Sequence, residues 1–218
     1  MAVITISRQY GSKGDEIAQR LTAILGYRYF NKQLLAEVAS EVGLSPEELL
    51  DFSDEDYKVR GFLDRLRNRS RALAEIDDWA ESQVLKKNRW MRDLNEEQGV
   101  TLTRMALQAA YKHGNVVIVG RGGQVVLQDY PQVLHIRIEA TLGSRVMRIK
   151  SKRNISVGEA ERLTRERDRA SSAYLNRFYR TDWADPLLYH LVINTSKWDV
   201  EAALQIIVNA VGNLARAT

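Results

Sequence analysis

Three stretches of the chain carry residues whose types and spacing suit the handling of phosphate. The first is Gly11-Ser12-Lys13-Gly14, which follows the β-branched run Ile4-Thr5-Ile6 and opens a segment with Ile17, Leu21, Ile24 and Leu25 on one helical face. Strand, glycine turn and helix together hold an anion, because successive N–H groups point into a concavity and the helix start adds about half a positive charge. The pattern G-x-x-x-x-G-K-[ST] is not met. Lys13 precedes the second glycine of the turn, and Asp15 and Glu16 stand where a hydroxyl is expected. The turn therefore reads either as a phosphate loop or as a tight turn with a solvated lysine. The second stretch is Gly120-Arg121-Gly122-Gly123. Its glycines allow close backbone approach, and an arginine fork grips phosphate oxygens bidentately; a structural arginine paired with a helix C-terminus is the alternative. The third is Arg165, Arg167, Asp168 and Arg169, with Arg177 and Arg180 beyond. Arg162, Arg165, Arg169 and Arg177 can share one side of a helix. They can equally form a solvated face laced with i,i+4 pairs such as Glu161–Arg165.

Other chemistries find less support. His113, His135 and His190 fall in different elements without metal-ligand spacing, and G-x-S-x-G, H-E-x-x-H and cysteine nucleophiles are absent. G-x-G-x-x-G is absent too, which argues against a nicotinamide cofactor. Arg177-Phe178-Tyr179-Arg180 interleaves basic and aromatic residues as a single-stranded nucleic-acid binder does, but core packing of Phe178 is the better expectation. The 218 residues are 44% hydrophobic, enough for one substantial core, or one domain with an appendage. The absence of cysteine excludes disulfides and thiolate metal sites and fits a reducing compartment. With no secretory leader pattern and no apolar run of about 18 residues, a soluble cytoplasmic protein is expected, without a membrane partner. Net charge is +4, yet Ala140 to Arg180 alone holds eleven Lys/Arg against four Asp/Glu. That local excess points to an anionic ligand rather than a nucleic-acid surface.

These residues need elements to position them. Val3–Ser7 reads as a buried strand, Gly14–Ile24 as a helix closed by Gly26, and Tyr27–Phe30 as a short strand. Asn31 can cap a helix from Lys32 to about Val42. Ser45-Pro46-Glu47-Glu48 starts another, ending near Asp51. Residues 53–99 are rich in charge, with Leu66, Leu73, Ile76, Ala80 and Val84 roughly on one helical face and Trp79 and Trp90 adding bulk. They read as one or two long helices: an amphipathic face packed on its own domain, or a dimerisation arm or substrate-domain insert. Thr101–Lys112 is a helix ended by Gly114. Asn115–Val119, an apolar run without alternation, is a strand buried on both faces as in a parallel sheet. A short helix to about Gln128, a strand over Val133–Ile138 and a helix over Leu142–Lys152 follow. A capping box at Ser156 starts a basic helix to about Tyr179; then come a strand over Leu188–Ile193 and a helix over Val200–Ala215. Alternating strands and helices predict an α/β fold. Ligands in such sheets bind beyond the carboxyl ends of the strands, where the Arg8 and Arg121 loops would share one crevice.

Taken together, I-T-I-S-R-Q-Y-G-S-K-G-D-E-I-A, V-I-V-G-R-G-G-Q, R-E-R-D-R-A-S-S-A-Y-L-N-R-F-Y and D-P-L-L-Y-H-L-V-I-N-T resemble the cytidylate-kinase-like family of P-loop proteins, over the chain except roughly residues 53–99. The resemblance implies a three-layer parallel sheet flanked by helices, of the P-loop nucleoside-monophosphate-kinase type. The core would be 1–52 and 100–218, with a lid at about 153–182 and residues 53–99 as a helical insert. It implies ATP and Mg2+ as cofactors and transfer of the γ-phosphoryl group to a small acceptor, most plausibly a pyrimidine nucleoside monophosphate. On this resemblance Gly11, Ser12, Lys13 and Gly14, helped by Arg8, hold the nucleotide phosphates. Asn31, Lys32, Arg121 and Asp168 fall in the acceptor-binding region. Lys13, Arg167, Arg169 and Arg177 stabilise the transferring charge, and Asp15 or Glu16 takes the metal. The family's P-loop lysine position is Gly14, its metal-binding hydroxyl position Glu16, the acid of its G-R-D motif Gly122, and the acid of its monophosphate segment Asn31. The alternative is a nucleotide-binding sensor or partner-binding module without turnover. A homodimer through residues 53–99 is the expected assembly.

Overall fold

A computed structural model of the chain describes residues 2–30 and 96–214. Within them a five-stranded, wholly parallel sheet forms around β1 (Val3–Arg8). The other strands are β2 (Arg28–Tyr29), β3 (Val116–Val119), β4 (Val133–Glu139) and β5 (Leu191–Asn194), in the order β2-β3-β1-β4-β5. Val3 pairs with Val116 on one side and Val133 on the other, and Ile6 with Val119 and Ile136. The carboxyl ends of β1, β3 and β4 therefore lie side by side, and their following loops meet there.

The helices are α1 (Gly14–Leu25), α2 (Glu96–His113), α3 (Gly123–Val126), α4 (Leu142–Arg153), α5 (Val157–Tyr179) and α6 (Val200–Leu214). One face of the sheet presents Ile4, Ile6, Leu134, Ile136 and Ile138 to Ile17 and Leu21 of α1 and Leu204 and Ile207 of α6. The other presents Val3, Val116, Ile118 and Val133 to Ala106, Leu107 and Ala110 of α2. The three-layer α/β class expected from the alternation of elements is thus observed. Strand residues buried on both faces explain why these runs read as continuous rather than alternating.

Two boundaries and one contact differ from expectation. Helix α2 begins at Glu96 and runs straight through Gly99, because one interior glycine costs only about 1 kcal/mol and Leu107 and Ala110 anchor the helix to the sheet. The last strand starts at Leu191 rather than Leu188: Asp185 accepts from the Leu187 N–H and opens a 3-10 turn over Pro186–Leu188. His135 and His190, placed apart by sequence, stack with centroids 5.2 Å apart. Asn31, Lys32, the helices expected from 32 to 51 and residues 53–95 lie outside the described residues.

Candidate active site

The β1–α1 loop is built by its surroundings as much as by its own residues. Lys13, the residue before α1, sits in the left-handed region at φ 66°, and Gly11 at φ 78°. A left-handed lysine costs roughly 1–2 kcal/mol, strain that a loop keeps only when its neighbours fix it. They do so through its carbonyls. Arg145 of α4 donates to Tyr10 O (3.1 Å), Arg148 to Gly11 O (3.3 Å) and Thr195 Oγ1 to Ser12 O (2.7 Å). Three successive carbonyls are drawn to the side of α4 and the β5 end. In a trans peptide the N–H lies opposite its carbonyl, so the amides of this turn face the other way. The first-turn amides of α1 have no intrahelical acceptor, and Lys13 provides no side-chain cap. The Ser12 N–H closes the turn on Gln9 O at 3.1 Å, so the Gly11 and Lys13 amides and the first-turn amides of α1 remain to hold an anion at this helix start.

The struts are themselves anchored. Arg145 is 5% exposed. Its Nε donates to Ala140 O (3.0 Å) and its Nη1 to Asp168 Oδ2 (2.6 Å). The other oxygen of Asp168 accepts the Tyr10 N–H at 3.0 Å. The structure thus places Asp168 of α5 against the β1–α1 loop, with both oxygens engaged. Arg148 also donates to Thr195 O (2.7 Å); burial lowers its pKa, opposed by the Glu16 charge. Sequence reasoning missed Arg145, Arg148 and Thr195. The local basic excess included both arginines, but their targets are carbonyls, which leave no mark in side-chain spacing.

Arg8 leaves the end of β1 and donates from Nε to Asp15 Oδ1 at 2.8 Å. Asp15 is thus the ion-pair partner of Arg8 in this structure, and Lys13, Asp15 and Glu16 are all exposed. Among the described residues no three His, Cys, Asp or Glu side chains converge on one point. The Arg8 guanidinium reaches across to the second glycine loop. A Cβ on Gly120 would lie 3.0 Å from Arg8 Nη1.

That second loop is a left-handed turn, with Gly120 at φ 72°, Arg121 at 59° and Gly122 at 72°. The flanking glycines make the conformation accessible, and Arg121 is carried along with it. Its guanidinium lies over the Phe30 ring, 5.8 Å from the centroid. A Cβ on Gly122 would come within 2.9 Å of the Tyr179 ring. The C-terminal end of α5 thus occupies the space where the resemblance puts the acid of G-R-D. Arg104 of α2 lies 5.8 Å from the Tyr179 centroid, a further cation on this side that sequence reasoning did not single out. Burial pushes the Tyr174 hydroxyl pKa upward, so Tyr174 stays a neutral phenol.

Helix α5 spans both loops. Arg167 lies 5.8 Å from the Tyr10 centroid, beside the first. Arg177 packs 5.4 Å from the Phe178 centroid and, like Arg169, is exposed. The structure gathers Arg8, Gly11, Ser12, Lys13, Gly14, Arg167 and Asp168 at the first loop and Arg121 at the second. Arg162 and Arg165 instead form i,i+4 pairs with Glu166 and Glu161, the solvated-face alternative. The chain beyond α5 is pinned to the sheet: Trp183 Nε1 donates to Ser7 Oγ (2.8 Å), and Tyr189 donates to Trp183 O (2.9 Å).

Comparison with known proteins gives the family of the chain. A cytidylate kinase from Methanothrix thermoacetophila is 26% identical over 96% of this chain and 97% of its own. One from Methanopyrus kandleri is 27% identical over 97% and 94%. The crystal structure of an uncharacterized protein from Eubacterium ventriosum superposes with a TM-score of 0.63 at 18% identity, over 97% of this chain and 99% of that one. The model of the cytidylate kinase-like family matches residues 3–197, and the chain belongs to that family.

Proposed function

We propose that this protein transfers the γ-phosphoryl group of ATP to a pyrimidine nucleoside monophosphate, releasing ADP and the nucleoside diphosphate. One observation carries the reading: the Tyr10, Gly11 and Ser12 carbonyls are anchored on the α4 and β5 side, which turns the Gly11 and Lys13 amides to the opposite side of the loop. The relatives named cytidylate kinase support the pyrimidine acceptor. In this reading the amides of Gly11, Lys13 and Gly14 and the Lys13 ammonium bind the ATP phosphates, while the Ser12 N–H holds the turn through Gln9 O. Arg121 and the 31–32 segment, with Asn31 and Lys32, bind the acceptor phosphate. An acceptor oxygen attacks the γ-phosphorus as the bond to the β–γ bridging oxygen breaks. The work of the protein is alignment and charge neutralisation. Arg167, Arg169 and Arg177 act from α5 on the transferring group, and Asp168 positions the loop. Mg2+ supplies further charge neutralisation when bound. The described residues build no cage for it, and such an ion is carried largely by phosphates and water, with Asp15 and Glu16 the exposed carboxylates beside the loop.

The test is ADP release with ATP and Mg2+ against a panel of nucleoside monophosphates, for wild type and Arg121→Ala. Transfer to a pyrimidine monophosphate is expected. The acceptor KM should rise roughly 10–100-fold in the variant, the loss of one charged hydrogen-bonding group. Nucleotide binding without transfer to any acceptor would instead establish a non-catalytic nucleotide binder, the reading that the missing lysine and the missing hydroxyl of the loop favour; absence of nucleotide binding would remove both. Assembly as a homodimer through residues 53–99 belongs to the same proposal, and a monomeric mass by light scattering removes it. Cytoplasmic residence does as well; among the described residues no helix is long and apolar enough to cross a membrane.

A further inference from the structure

The loop lacks a lysine where the phosphate-loop spacing requires one, at position 14, and carries an arginine where that spacing requires its first glycine, at position 8. The two departures are one event in space. A Cβ on Gly14 would lie 2.4 Å from Arg8 Cβ and 2.8 Å from Arg8 Cγ, with Ile138 Cβ at 3.4 Å behind. No side chain can stand at position 14 while Arg8 holds its place, and the stem of Arg8 fills the space in which a residue-14 stem would start. Its guanidinium is not lost in solvent. Asp15 holds it at 2.8 Å, and Nη1 lies against Gly120, so the charge sits between the phosphate loop and the Arg121 loop.

We propose that Arg8 supplies to the nucleotide phosphates the positive charge that position 14 cannot, so that cation and glycine have exchanged places within the loop. This rests on the nucleotide-binding reading above and assigns its principal cation to Arg8 rather than to the exposed Lys13. An arginine there differs from a lysine in kind. Its planar fork can contact two phosphate oxygens at once and stays charged throughout the physiological range. Asp15 keeps that fork oriented before nucleotide arrives.

The test combines Arg8→Gly, Gly14→Lys and the double variant, reading Kd for ATP by calorimetry, turnover with the acceptor, and Tm. Arg8→Gly should lower kcat/KM for ATP roughly 10²–10³-fold, as loss of a preorganised charge-stabilising group does. Arg8→Lys should retain more activity than Arg8→Gly. Gly14→Lys alone should lower Tm and activity through collision with the Arg8 stem. The double variant should recover Tm relative to Gly14→Lys and at least tenfold in turnover relative to Arg8→Gly. Arg8→Gly within threefold of wild type in both Kd and turnover, or Gly14→Lys with wild-type Tm, overturns the proposal while leaving the kinase reading intact. Should wild type bind ATP without transfer, the kinase reading fails and the Kd series alone decides on Arg8. Should it bind no ATP, both fall. Arg8→Met keeps the stem and removes the charge, so it replaces Arg8→Gly if that variant does not fold.

Discussion

Removing the Asp168 carboxylate should damage the phosphate loop without touching any loop residue. Its Oδ2 pairs with Arg145 Nη1 at 2.6 Å, its Oδ1 accepts the Tyr10 N–H at 3.0 Å, and the two side chains are 19% and 6% exposed. In Asp168→Ala the Arg145 charge stays buried against carbonyls alone, and an amide loses its acceptor. Breaking a buried pair from one side costs about 3–5 kcal/mol. The partial exposure of Asp168 argues for the lower end, about 3 kcal/mol, or roughly 6–12 °C in Tm for a chain of this size. Asp168→Asn keeps an oxygen for Tyr10 and should lose about half as much. A cycle with Arg145→Met should give a coupling of about 1.5–3 kcal/mol, little changed by salt because the pair is buried. Calorimetry should also show ATP binding weakened roughly tenfold, 1.4 kcal/mol, as the loop loses its support. An Asp168→Ala variant within 2 °C of wild type, with unchanged ATP affinity, would falsify the view that α5 braces the loop.

Three further outcomes follow from the same geometry. Thr195→Val leaves Ser12 O without its 2.7 Å donor and should cost about 1–3 kcal/mol with weakened ATP binding, whereas Thr195→Ser should retain both; urea unfolding and calorimetry check this. Gly122→Ala puts a methyl 2.9 Å from the Tyr179 ring at a φ of 72° and should cost about 2 kcal/mol, part of which Tyr179→Ala restores in the double variant, read as Tm. Burial, with the neighbouring His190 charge second, lowers the His135 pKa to about 4 from 6.5. The unfolded chain binds the proton more tightly, so stability is complete above pH 6.5 and is lost as pH falls toward 4. The loss amounts to at most about 3 kcal/mol, and urea unfolding of His135→Asn should show a flatter profile over that range.

Much of the scaffold was legible in the sequence because burial on two faces writes itself as an unbroken apolar run. Val116–Val119 and Val133–Ile138 needed no further signal, and the glycine turns after Ile6 and Val119 marked the functional edge of the sheet. The arrangement around those turns was not legible, for a physical reason. Arg145, Arg148 and Thr195 act on backbone carbonyls, and any residue has a carbonyl, so no pairing of side-chain types announces the contact. Likewise His135 and His190 meet only because β4 and the start of β5 are neighbours in the sheet, a fact of topology rather than of spacing. In the sequence the glycines of the second loop read as room for a ligand, whereas Gly120 and Gly122 are closed upon by Arg8 and Tyr179.

The central place of β1 has a consequence for how the chain comes into being. Val3 pairs with Val116 and Val133, so the strand that carries the phosphate loop is synthesised more than a hundred residues before either neighbour. At roughly 5–20 residues per second it waits on the order of 6–25 s with Val3, Ile4 and Ile6 unpaired. Sheet closure is then a non-local event of the slow kind. A ribosome that stalls between β1 and β4 leaves an apolar strand with two open edges, so holdase capture and aggregation of truncated chains should rise with pauses in that interval and fall once residue 139 has left the exit tunnel.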